Sequence, residues 1–188
     1  MSAEQEKVLY LGLRAKLGTY HYPVIRTELC ANMSQALARW DQFTHMIFTS
    51  PTAVEYWPGP WDKEILAIGP VTAQFLKDRA HHCQIAPHAT QEGIVELIRN
   101  MQGFFFIPRS RKARSVLGDY FKQNRIPHYL FDLYDTHFQR LQPVPSLEEF
   151  TEIVFTSPST VEGFLRIYGS LPQGKKLTAI GPITQKLL

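Results

Sequence analysis

Phe43-Thr-His-Met-Ile-Phe-Thr-Ser-Pro-Thr-Ala-Val-Glu-Tyr56 recurs as Phe150-Thr-Glu-Ile-Val-Phe-Thr-Ser-Pro-Ser-Thr-Val-Glu-Gly163, identical at eight of fourteen positions and offset by 107. A second pair follows in the same order, Ala67-Ile-Gly-Pro-Val-Thr72 and Ala179-Ile-Gly-Pro-Ile-Thr184, offset by 112. The second copy has therefore gained five residues between its motifs, around Gly169 to Gly174. Solenoid repeats run to about 20–50 residues, so a period this long marks a duplicated domain.

Each motif reads as strand, tight turn, helix. Residues 46–48 and 153–155 are short apolar runs suited to buried parallel strands, as are 65–68 and 177–180. Ser50 and Ser157 stand where helix N-caps belong, with Pro51 and Pro158 at the first helical position. Gly69 and Gly181 turn the chain before Pro70 and Pro182, and Thr72 and Thr184 place a hydroxyl in the first helical turn. Residues 83–86 and 104–107 read as further strands, and 92–101 and 112–123 as helices. Strands alternating with helices predict an α/β fold with parallel sheets.

Residues 22–29 and 129–136 flank the first copy and are extended, rich in β-branched or aromatic side chains. They are expected to be the two crossings between lobes. Residues 30–128 then make one inserted lobe, and residues 1–25 with 137–188 a discontinuous second one. Little chain separates Leu13 from Tyr22, less than the about 10–12 residues of a helical crossover, and few residues follow Thr184. The outer lobe is accordingly expected to be shortened, or truncated, relative to the inner one.

A net charge of +3 permits an acidic ligand but lacks the dense basic face of a protein that coats nucleic acid. Cys30 and Cys83 have no CxxC spacing and read as reduced thiols of a cytosolic protein. Residues 1–7 carry no secretory signal, and no apolar run approaches the about 18 residues of a membrane helix. Phe104-Phe-Phe-Ile107 stops at Pro108.

Two hydroxyl-bearing helix starts per lobe are expected to line an anion-binding cleft between the lobes. The basic run Pro108-Arg-Ser-Arg-Lys-Ala-Arg114 reads as a solvated helix start, a phosphate or RNA contact, or a carboxylate clamp. Neither GxxxxGK[ST] nor GxGxxG occurs, so nucleotide phosphates are not expected; His81-His82-Cys83 matches no zinc spacing and Cys83 begins an apolar strand, so neither a metal site nor a thiol nucleophile is expected. Asp132, Asp135 and Glu28, on the connecting strands, read as solvated or salt-bridged. Tyr134 lies on such a strand too; its side chain is either packing or a phenol facing the cleft, and a phenol of pKa about 10 can donate a proton to a leaving group.

Phe-Thr-Ser-Pro-x-x-Val and Ala-Ile-Gly-Pro-x-Thr, both duplicated, together with Leu133-Tyr134-Asp135-Thr136, resemble the uroporphyrinogen-III synthase family. The resemblance runs from Leu9 to the end of the chain. It implies two α/β lobes joined by a two-stranded ladder, no cofactor, and conversion of carboxylate-rich hydroxymethylbilane into uroporphyrinogen III. Water is lost, the D ring inverts, and the macrocycle closes through a spiro intermediate. Tyr134 matches the family's ladder tyrosine and is the expected proton donor. Thr49, Ser50, Thr72, Ser157, Ser159 and Thr184 match its cleft-lining hydroxyls, with Gly69 and Gly181 in the same turns. Arg14 and Arg114 match arginines after the first strand and after the Phe104 strand. A monomer in transient contact with hydroxymethylbilane synthase is expected, with neither nucleic acid nor membrane as partner. A degenerate, non-catalytic binder of tetrapyrroles or anions, and an unrelated two-lobed anion receptor, are the alternatives open at the level of sequence.

Overall fold

The structure is a computed structural model and describes residues 7–30, 33–77, 79 and 82–188. Residues 1–6, and His81 of the His-His-Cys run, lie outside the described residues. In chain order the strands and helices begin with β1 (Val8–Tyr10), β2 (Tyr20–His21), β3 (Ile25–Leu29) and α1 (Met33–Leu37). The first repeat forms β4 (His45–Phe48), α2 (Pro51–Tyr56), β5 (Glu64–Ala67) and α3 (Pro70–Leu76). Next come β6 (Cys83–Ile85), α4 (Gln91–Ile98), β7 (Phe105–Ser110), α5 (Val116–Gln123) and β8 (His128–Phe138). The second repeat forms β9 (Glu152–Phe155), α6 (Pro158–Tyr168), β10 (Lys176–Ala179) and α7 (Pro182–Gln185).

Two compact units result, one of Met1–Thr27 with Thr136–Leu188, the other of Glu28–Asp135. β3 and β8 carry the chain from one to the other. One sheet has the order β10-β9-β1-β2 and the other β3-β8-β7-β4-β5-β6. The pairings within the repeats are parallel: Met46 lies opposite Ile65 and Phe106, and Ile153 opposite Leu9 and Leu177. Cys30 N–H donates to Leu133 O and Gln139 N–H to Val24 O, so β3 runs antiparallel to β8. This is a mixed α/β fold with parallel sheets.

In the Glu28–Asp135 unit the sheet is buried on both faces, and successive residues alternate between two cores as the pleat demands. Met46, Phe48 and Phe106 join Trp40, Trp57 and Leu133 on one side, whereas Ile47, Phe105 and Ile107 join Leu66, Ile94 and Phe121 on the other. Each such side chain stabilises the unit by about 1.5–3 kcal/mol relative to exposure. The other unit packs Leu9, Leu11, Val24, Ile153, Phe155 and Phe164 into one cluster. Its adjacent parallel strands β1 and β2 are joined by residues 11–19, which contain no helix.

Three expectations need correction. β7 does not stop before Pro108; it runs on to Ser110, and Pro108 pairs with Phe131 of β8. β4 pairs with β7 only at Phe105 and Phe106, so beyond them β7 has β8 alone on one side. Proline is tolerated at such an edge because no ladder hydrogen bond is lost. Second, α5 begins at Val116 and not at residue 112, because the chain first turns at residues 111–112. Third, the connecting strand is longer than residues 129–136: its first half is a full member of the six-stranded sheet.

Candidate active site

Tyr134 stands at a break in the register of β8. Arg109 pairs with Asp132, but the next residue of β7, Ser110, pairs with Tyr134, so Leu133 is an extra residue on the β8 side. A bulge of this kind re-aims the side chains that follow it. Phe131 and Leu133 point into the Trp57 core by ordinary alternation, and Tyr134, only 6% exposed, joins the same core out of turn. Arg111 N–H donates to the Tyr134 carbonyl at 2.8 Å and pins the bulge.

The re-aimed phenol meets the first repeat. Tyr134 Oη lies 2.8 Å from Ser50 Oγ, and Ser50 Oγ accepts the Ala53 N–H at 3.1 Å as the N-cap of α2. The Tyr56 ring, at the far end of α2, is 5.7 Å from the Tyr134 ring. Tyr56 was not singled out in the sequence; its only signal is that Tyr56 is six residues beyond Ser50 on the same short helix.

Thr49, half-buried, precedes Ser50 at the carboxyl end of β4, and Gly69 follows the adjacent end of β5, because Phe48 and Ala67 are paired. In parallel α/β sheets ligands gather at this end. A β-carbon on Gly69 would approach the Ala89 Cβ to 2.8 Å, so the α3 turn is tightly fitted. Thr72 is only 2% exposed beneath the start of α3. Arg114 does not open α5; it precedes it, and its guanidinium gives two bonds of 2.7 and 2.9 Å to Glu92. Two more arginines of the basic run are also engaged with acids, Arg109 with Asp132 at 3.0 Å and Arg111 with Asp135 at 3.8 Å.

In the Met1–Thr27, Thr136–Leu188 unit the second pair of sequence motifs makes different contacts. Ser157 holds the N-cap position of α6 in a capping box with Thr160, whose hydroxyl accepts the N–H groups of Thr156 and Ser157 and donates to Ser157 O. Thr160 lies three residues after Ser157, the spacing of a capping box. Ser159 is half-buried and Thr184 is 3% exposed. Ala179 pairs with Phe155, which sets Gly181 beside the α6 turn. Arg14 is exposed just after Leu11, Gly12 and Leu13, and a β-carbon at Gly12 would meet the Tyr10 ring at 2.6 Å and the Thr156 methyl at 2.8 Å. Among the described residues no group of three His, Cys, Asp or Glu is placed to hold a metal, and no helix is long and apolar enough to cross a membrane.

The Arg114 bonds hold the Glu92 carboxyl down at about 2. A carboxylate depressed in the folded state adds stability that is complete above its unfolded pKa, about 4.3, and lost as the pH falls toward 2. Both side chains are partly exposed, so solvent limits the gain to about 0.5–1 kcal/mol. Glu92→Gln is therefore expected to melt lower than wild type at pH 7, with the gap closing by pH 2–3. A gap that persists in acid would show that the loss comes from packing and not from charge.

The family model for uroporphyrinogen-III synthase HemD matches residues 14–188. In structure the chain is similar to a uroporphyrinogen-III synthetase from Helicobacter pylori, with TM-score 0.67 and 16% identity, covering 97% of this chain and 87% of that one. It is similar as well to a mutant uroporphyrinogen III synthase from Thermus thermophilus, with TM-score 0.64 and 18% identity, covering 96% and 87%. No curated protein matches in sequence. At these identities the solved structures bear on the fold, and the family model on membership. The chain belongs to the uroporphyrinogen-III synthase family. It is thus a lyase of haem biosynthesis, closing hydroxymethylbilane to uroporphyrinogen III.

Proposed function

We propose that Tyr134 supplies the proton for water loss in this cyclisation, and that the turn hydroxyls of Thr49, Thr72, Ser157, Ser159 and Thr184 take the substrate's carboxylates. The observation that carries the reading is the phenol re-aimed by the β8 bulge onto Ser50, at the sheet end that also bears Thr49 and Gly69. The phenol proton passes to the terminal hydroxymethyl oxygen. The C–O bond breaks with its electron pair on oxygen, water departs, and the pyrrole nitrogen pair fills the vacancy to give an azafulvenium. Attack by the substituted carbon of the last ring gives the spiro intermediate that inverts ring D. Attack by its open carbon gives isomer I. Selecting between them is a matter of holding the rings, which needs no covalent help from the protein.

Thr49, Ser157 and Ser159 are half-buried and suited to carboxylate oxygens, Thr72 and Thr184 are their buried companions, and Gly69 and Gly181 shape the turns. Arg14 is a further carboxylate partner. Arg114 serves as one only by sharing its guanidinium with Glu92. Thr72→Ala and Thr184→Ala are each expected to raise KM about 5-fold, equivalent to one lost hydroxyl contact of about 1 kcal/mol, with kcat little changed. Lower melting temperatures with unchanged KM would assign both hydroxyls to holding the helix starts.

The matching strand orders β8-β7-β4-β5 and β2-β1-β9-β10 support reading the units as duplicated lobes, residues 30–128 and residues 1–25 with 137–188, joined through 22–29 and 129–136. A cytosolic monomer receiving its unstable substrate by transient contact with hydroxymethylbilane synthase fits this chemistry, since free hydroxymethylbilane closes spontaneously to isomer I.

A further inference from the structure

We propose that Ser50 is a positioning residue for the Tyr134 phenol and acts on the reaction through it, without itself touching substrate. A serine hydroxyl has one proton and two lone pairs. The Ala53 N–H occupies one lone pair of Ser50 Oγ, and Tyr134 Oη lies 2.8 Å away on the remaining side. Before proton transfer either oxygen can be the donor. Once Tyr134 has given its proton to the departing oxygen, the Ser50 O–H is placed to donate to the phenolate, and the α2 backbone holds that hydroxyl in place. Three constraints thus converge on one oxygen: the β8 bulge that turns the ring, the Arg111 N–H that fixes the Tyr134 carbonyl, and the Ser50 cap that fixes the hydroxyl. Ser157, the repeat equivalent of Ser50, is engaged instead in a capping box with Thr160.

This inference rests on Tyr134 being the proton donor, and a double-mutant cycle separates the two claims. Ser50→Ala and Ser50→Gly are compared, because glycine retains most of the N-cap stability that alanine loses. Both are expected to lower kcat for isomer III about 10-fold, the cost of one hydrogen bond to a developing charge, with KM within about twofold of wild type. In the Tyr134→Phe background the same changes are expected to have no further effect on kcat, and Ser50→Thr is expected to restore activity to near wild type. Losses that add fully to a crippling Tyr134→Phe, or a raised KM with unchanged kcat, would overturn the positioning role and leave Tyr134 as donor. A Tyr134→Phe enzyme with wild-type kcat would overturn the donor and Ser50's role together.

Discussion

Tyr134→Phe is expected to lower the rate of isomer III formation by about 10²–10⁴-fold, the range for losing a general acid, while the protein stays folded. The argument is one of subtraction. Phenylalanine keeps the ring, and with it the place in the Trp57 core and the contact with Tyr56 at 5.7 Å. Only the hydroxyl goes. Ser50 still caps α2 through the Ala53 N–H, so the fold loses about 1 kcal/mol at most. The initial rate of isomer III, corrected for spontaneous isomer I, should fall through kcat, with KM little changed, because the proton moves only in the transition state. A wild-type rate would remove Tyr134 from the chemistry; a raised KM alone would make it a binding group.

The largest effect on stability is expected from Trp57→Ala, about 3–5 kcal/mol. Trp57 is fully buried, stacks on Trp40 at 5.5 Å, packs against Phe106 at 4.9 Å, and donates its indole N–H to Pro60 O at 3.0 Å. It also closes α2, since its backbone N–H bonds to Ala53 O, the carbonyl of the residue whose N–H Ser50 caps. Removing the indole opens a cavity beneath the helix that carries Ser50. Urea unfolding should show the loss as a lower midpoint, a large part of the about 5–15 kcal/mol available to a small protein. Activity should fall with it through misplacement of Ser50 and Tyr134. A stability loss under about 1 kcal/mol would mean that the aromatic cluster closes over the gap and does not set the position of α2.

What could be read from the sequence was what local chemistry dictates. Ser-Pro and Gly-Pro turns sit between apolar runs and helices, and the structure starts α2, α3, α6 and α7 at the prolines these turns contain. The family could be recognised for the same reason: its motifs are those turns, and the model matches residues 14–188. What escaped depends on neighbours distant in sequence. Pro108 looked like the end of a strand, because nothing nearby says that β4 stops pairing before it. Residues 112–115 looked helical, since Lys, Ala and Arg favour helices, whereas the Ala113 N–H turns back to Ser110 O and Arg114 is tied to Glu92 before α5 begins. The bulge at Leu133 has no sequence signature, yet it turns Tyr134 toward Ser50, 84 residues earlier in the chain. The pairing of those two hydroxyls is therefore legible only in the folded chain.

The most direct test supplies hydroxymethylbilane freshly made in situ to the folded protein, oxidises the products, and separates uroporphyrin I from uroporphyrin III by chromatography. Uroporphyrin III above the spontaneous isomer I background is the result the account predicts, and it should vanish in Tyr134→Phe. Isomer I alone, from protein whose circular dichroism shows it folded, would contradict it.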